Sequence, residues 1–145
     1  MKTLFKTTAK ICALLFVMVS FSSCSSDNDS APTKKELLAH KWYLVQQEYL
    51  NTTPSTVVVA DECEQNTYFN FLDDGSLIAE TFGLDMDSNC VSQSLVAATY
   101  DLTADGEKIY VTSGSPSMTQ ELTIESLTGS ELIIFNSDLK IIFNR

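Results

Sequence analysis

The chain carries one histidine, His40, and only nine basic residues against nineteen acidic ones. Each shortage excludes something. No Ser/His/Asp or Cys/His constellation surrounds that lone histidine in the sequence, and no histidine cluster is on offer to a transition metal. A formal net charge of −10 repels nucleic acid and anionic lipid headgroups, so neither is expected as a partner surface. The apolar run Ile11 to Val19 is too short to span a bilayer as a mature helix. Carboxylates are plentiful, yet nothing sets two of them across a cleft as a glycosidase pair. Asp85-Met86-Asp87-Ser88-Asn89 starts like a calcium loop, but Cys90 and Val96 stand where an EF-hand needs glycine and glutamate. The expectation is a protein with no enzymatic activity, no metal and no cofactor.

What is present begins with an address. Lys2, Lys6 and Lys10 form a positive start, Ile11 to Val19 an apolar segment, and Phe21-Ser22-Ser23-Cys24 a lipobox of the bacterial lipoprotein type. Residues 1–23 are therefore expected to be a signal peptide, and the sulfur of Cys24 to receive a diacylglyceryl group carrying acyl chains such as palmitate. That lipid makes the membrane the first partner and sets the location: anchored at the cell envelope, on the outer membrane. Without residues 1–23 the chain keeps six basic and nineteen acidic residues, a net charge of −13. Residues 24–33 are polar, contain Pro32 and lack an apolar period, and read as a flexible tether. Residues 34–145 are long enough for one domain with one core. Cys12 leaves with the signal and Cys24 is lipidated, so Cys63 and Cys90 remain to form a disulfide in an oxidising compartment.

Beyond the tether, Thr33 and Glu36 frame a capping box ahead of a short helix that ends near His40. The hydrophobic period then changes to two, and turn residues punctuate the chain at short intervals. Strands are expected near Trp42 to Tyr49, Thr67 to Leu72, Ser76 to Thr81, Ser94 to Thr103, Lys108 to Thr112, Gln120 to Ser126, Glu131 to Asn136 and Leu139 to Asn144. Asp73-Asp74-Gly75, Ala104-Asp105-Gly106 and Thr128-Gly129-Ser130 are tight hairpin turns. Leu50 to Asn66, Phe82 to Gln93 and Ser113 to Thr119 are longer connections. The two kinds alternate, which places all tight turns at one end and all long loops at the other. Eight antiparallel strands so connected make an all-β up-and-down barrel, with a β-sandwich as the alternative. Cys63 and Cys90 fall in two long loops of the same end, so topology and cysteine chemistry agree.

Leu38-Ala39-His40-Lys41-Trp42, then Cys63, the Phe-x-x-Asp-Gly hairpin at Phe71, Asp74 and Gly75, then Cys90, and Tyr100 ahead of Asp105-Gly106, resemble the lipocalin-like domain of small Bacteroidota lipoproteins. The resemblance covers nearly all of residues 34–145. It implies a lipocalin or calycin-like barrel whose Trp42 packs across the closed end, and a small hydrophobic or amphiphilic ligand in the interior. Such a ligand enters at the looped end, past Val57, Val59, Phe82, Met86 and Met118, with Tyr100 and Tyr110 among the interior aromatics. Eight-stranded barrels either fill with side chains or hold one small ligand. The alternative function is an accessory module that docks another envelope protein through the long loops.

Overall fold

Thr33 closes a capping box: its hydroxyl accepts from the Glu36 N–H at 3.2 Å, and the Glu36 carboxylate accepts from the Thr33 N–H at 2.7 Å. This fixes the first turn of α1 (Lys34–Leu38), which runs only five residues. In this computed structural model residues 31–145 are described; the expected signal peptide, residues 1–23, and residues 24–30 of the expected tether, with Cys24, lie outside them. Pro32–Arg145 forms one compact unit.

Nine strands follow: β1 (Lys41–Tyr49), β2 (Thr56–Val59), β3 (Tyr68–Phe71), β4 (Ser76–Leu84), β5 (Cys90–Leu102), β6 (Lys108–Ser113), β7 (Met118–Leu127), β8 (Glu131–Phe135) and β9 (Leu139–Asn144). Eight of them, all but β2, form a closed antiparallel up-and-down barrel, with β1 bonded to β3 on one edge and to β9 on the other. The three tight turns lie where their residues require. Gly75 and Gly106 take φ of 86° and 67°, the left-handed region in which a side chain is strained.

β2 was not expected, since residues 50–66 read as one long loop. β3 covers only Lys41 to Tyr43 on its side of β1, which leaves the backbone of Gln46 to Tyr49 unpaired there. β2 supplies those partners, from Gln46 opposite Val59 to Tyr49 opposite Thr56. The other loops are shorter than expected for a related reason. β4 and β5 remain paired as far as Leu84 opposite Cys90, so their hairpin rises as a long arm above the looped end.

The core sits in the closed half. Trp42, Phe71, Phe143, Leu38, Ile109, Leu132 and Ile134 are fully buried. The Trp42 indole N–H donates to the Leu38 carbonyl at 2.9 Å, tying α1 across the end of the barrel. The Arg145 guanidinium stands 5.3 Å from the Trp42 ring and donates to Gly129 O in the β7–β8 turn. Phe71 and Tyr100 meet edge to face at 5.0 Å, and the Tyr100 hydroxyl donates to Leu72 O at 2.8 Å. Among the described residues no buried side-chain polar atom lacks a hydrogen-bond partner. On the outer face of β8 and β9, the paired Ile133 and Ile142 are half-buried, which explains the two-sided apolar pattern of these strands only in part.

Candidate ligand-binding site

Above the aromatic floor the inward positions change character. β4 presents Leu77, Ala79 and Thr81, β5 Val96 and Ala98, β6 Val111 and Ser113, and β7 Gln120 and Leu122, with Phe69 of β3 beside them. Alanine and serine at these places leave space that phenylalanine and isoleucine fill lower down. The result is a cavity of about 250 Å³ in the upper half of the barrel. The interior is thus half filled, between the two extremes open to an eight-stranded barrel. Its wall is apolar except for the Thr81 and Ser113 hydroxyls and the Gln120 amide.

The cavity also has a lateral opening. β5 pairs with β6 only from Thr99 to Leu102, so Cys90 to Ala98 are bonded to β4 alone. Above Thr99 the wall between β5 and β6 therefore parts. A shallow hollow bounded by Ala97, Ala98, Thr99, Thr112, Ser113, Gly114 and Ser117 marks the gap from outside.

The loops of this end are pinned by a disulfide between Cys63 and Cys90, with Cα atoms 5.4 Å apart. Cys63 precedes a single 3-10 turn, Glu64–Asn66, and the Asp61 carboxylate accepts the N–H groups of Cys63 and Glu64, each at 2.8 Å. A groove of about 490 Å³ runs beside the disulfide, lined by Asp61, Glu62, Asn66, Leu84 and Ser88 as well as the two cysteines. At the tip of the β4–β5 arm the Asp85 carboxylate is occupied by its own loop. It accepts from the Asn89 and Asp87 N–H groups at 2.8 and 2.9 Å, and these bonds, with the Asn89 side chain, hold its pKa below the usual value. The acidic stretch that begins like a calcium loop is thus the closing turn of a hairpin. Among the described residues no group of three or more His, Cys, Asp or Glu gathers as a metal site.

The expected site residues are dispersed. Trp42 lies on the closed-end floor, and Tyr100 belongs to the same packed half, its hydroxyl bonded to backbone. Tyr110 is on the outer face, because the adjacent Ile109 is fully buried and alternation sends Tyr110 outward between Asp101 and Glu121. Val57 and Val59 pair with Glu48 and Gln46, which face away from the interior; Val58, opposite Gln47, shares the inner face with Ile141. Phe82 is half-buried next to the inward-facing Thr81, so its side chain leaves on the other face. Met86 stands fully exposed at the arm tip. Met118 alone keeps a place at the mouth: it precedes Gln120 on the inward face of β7 and pairs with Ser113. None of these eight expected residues lines the cavity. The cavity is lined instead by small residues, and the alternation Val96, Ala98, Tyr100, Leu102 along β5 is the sequence signal that puts Ala98 on the inner face.

A closed up-and-down barrel of eight strands, sealed by a tryptophan and a short helix and hollow at the other end, defines the lipocalin-like class. The chain belongs to the lipocalin-like domain family, whose model matches residues 38–134. Among solved structures, it resembles a lipocalin-like protein from Bacteroides uniformis at 23% identity and a TM-score of 0.52, over 75% of this chain and 98% of that one. An uncharacterized protein from Bacteroides eggerthii aligns at 15% identity and a TM-score of 0.54, over 74% and 98% of the two chains. At these identities the likeness is one of fold. No curated protein matches the chain.

Proposed function

We propose that this protein is a non-enzymatic lipoprotein, anchored by lipid on Cys24 to the outer membrane of the cell envelope, whose barrel takes up the apolar part of a small hydrophobic or amphiphilic molecule. The observation that carries the binding reading is the apolar cavity above the aromatic floor. At about 30 Å³ for a water or a similarly sized methylene, its volume takes about eight carbons. Burying them at about 0.8 kcal/mol each contributes about 6 kcal/mol, an upper bound equivalent to a dissociation constant of tens of micromolar. The lipobox supports the anchor. Because the chain reaches the barrel through α1, a lipid on Cys24 is connected to it at the closed end.

Two measurements test the reading. Cys24→Ser should release the protein from the membrane fraction and abolish labelling by radioactive palmitate; membrane association unchanged by the substitution would refute the anchor. Native mass spectrometry of the purified protein with short-chain amphiphiles should show saturable one-to-one binding, and its absence across neutral, cationic and anionic heads would refute the carrier. The second reading, docking of an envelope protein, is favoured by the exposed apolar side chains of the looped end, Val57, Val59, Leu84, Met86 and Leu95. Crosslinking from the arm tip to one defined neighbour, lost on shortening the arm, would support it.

A further inference from the structure

The mouth of the cavity has a sign. Among the described residues there are six basic side chains, and none lines the cavity. Lys34 and Lys35 belong to α1 at the closed end, where the Lys34 ammonium donates to Asp105 O, and Arg145 is bonded to Gly129 O at that same end. Lys41 lies over the Tyr68 ring at 3.5 Å, on the strand position before the inward-facing Trp42 and therefore on the outer face. Lys108 and Lys140 are held by Glu121 and Glu125, each at 2.7 Å. Lys140 is the basic residue nearest the looped end. It pairs with Phe135 and Glu48, on the face opposite Ile134 and Ile141, and so points out of the barrel.

The looped end carries the opposite charge. Asp61, Glu62 and Glu64 lie in the disulfide loop, Asp85 and Asp87 in the arm tip, Asp138 in the β8–β9 turn and Glu48 near the top of β1. Along the cavity wall the polar groups are two hydroxyls and an amide, none of which neutralises a buried charge. An anionic head therefore finds no cation in the cavity and a field of carboxylates outside it. A cationic head left at the mouth is attracted by that field, and a neutral head is indifferent to it while Thr81, Ser113 and Gln120 offer it hydrogen bonds.

Resting on the carrier reading above, we infer that the mouth selects by charge: the ligand is a single-chain amphiphile with a cationic or neutral head, and carboxylate or sulfate amphiphiles are excluded. This separates the protein from a fatty-acid carrier. It concerns the head alone, since the cavity wall is indifferent to charge at the far end of an acyl chain.

The test uses the purified full chain and three chain-matched probes below their micelle concentrations: decyltrimethylammonium, decanol and decyl sulfate. Each competes with the small neutral fluorophore 1-naphthylamine, a single fused-ring molecule comparable in carbon number to the decyl chain of the probes. At low salt the trimethylammonium and the alcohol should displace it at concentrations about ten-fold or more below those needed for the sulfate. The gap should shrink several-fold at about 0.5 M salt, where screening acts within roughly 4 Å. Gln120→Lys, at an exposed position of the cavity wall, should narrow or reverse the order by giving the sulfate a partner. Equal affinity of sulfate and trimethylammonium, insensitive to salt and to Gln120→Lys, would overturn charge selection while leaving the carrier reading intact. Displacement by none of the three, with no saturable fluorophore binding, would overturn both.

Discussion

Replacing Ala98 with leucine tests where a ligand sits, because the extra side chain grows into the cavity from the wall of β5. Ala98 lies opposite Leu77 in the β4–β5 ladder and lines the space directly. Leucine adds three carbons, which at about 30 Å³ each remove about 90 Å³ from a cavity of about 250 Å³. A bound chain loses about three methylenes of burial, about 2.4 kcal/mol, so affinity for decanol should fall about 50-fold. The fold should not suffer, since the new methyl groups occupy space already present, and the urea midpoint should stay level or rise. Both quantities are read from one preparation, by fluorophore competition and by urea titration of the Trp42 emission. Wild-type affinity in a folded Ala98→Leu variant would refute the interior site and send the ligand to the groove beside the disulfide.

Three further outcomes follow from the same geometry. Cys63→Ala with Cys90→Ala opens a crosslink spanning 27 residues, which the chain-entropy relation values at roughly 3.5 kcal/mol; at about 4 °C per kcal/mol for a domain of this size the melting temperature should drop by about 14 °C, and an unchanged melting curve would show that the loop is already confined in the unfolded chain. Tyr100→Phe keeps the ring against Phe71 but removes one of the two donors to Leu72 O, leaving the Gly75 N–H, which should cost about 1 kcal/mol in denaturant titration; no loss would mean that solvent or the Gly75 N–H replaces the hydroxyl. Acidification should destabilise the barrel, because hydrogen bonds hold several carboxyl pKa values down in the fold: Asp74 by the Ser76 N–H, Asp85 by the Asn89 N–H, Asp105 by the Thr103 hydroxyl and Glu121 by Lys108. A depressed folded pKa gives stability that is complete above the unfolded value and lost as pH falls through the folded one, so urea midpoints should decline below about pH 4; midpoints that rise there would contradict the assignment.

The end-to-end layout of this barrel was legible because it depends on turns, and turns announce themselves locally. Asp-Gly pairs at Asp74-Gly75 and Asp105-Gly106 fall where left-handed backbone is needed, and their alternation with longer connections settles which end is closed. The lipocalin-like resemblance was legible from the spacing of Trp42, the Phe71 hairpin and the two cysteines, and the family match covers the same stretch. β2 was not legible. Its four residues have no turn of their own to announce them, and they form a strand only because β3 is too short to cover β1.

The mouth was harder to read than the floor for a specific reason: two strands carry an extra residue on the way to it. Val45 in β1 and Gln93 in β5 each break the register with a neighbour, while a third extra residue, Glu125 in β7, lies near the tight turn of the closed end. A bulge twists and bends its strand, and beyond it the inward and outward sets exchange places relative to simple alternation. Counting by twos from Leu44 makes Gln46 and Glu48 inward, and with them their partners Val59 and Val57. The bulge at Val45 instead turns Gln47 inward, opposite Ile141, and Val58 with it. Below the bulges, parity holds and the core is readable: Trp42 and Leu44, Leu77, Tyr100, Ile109, Leu132 and Ile134 all lie on the inward set. Tyr110 is the instructive exception among the expected site residues, since Ile109 and Val111 flank it and alternation alone places it outside. The cavity is made by residues that are small, not by an outward aromatic ring. In a barrel of this size a binding site is a deficit of side-chain volume on inward positions, so Ala79, Ala98 and Ser113 mark it more directly than any phenylalanine or methionine.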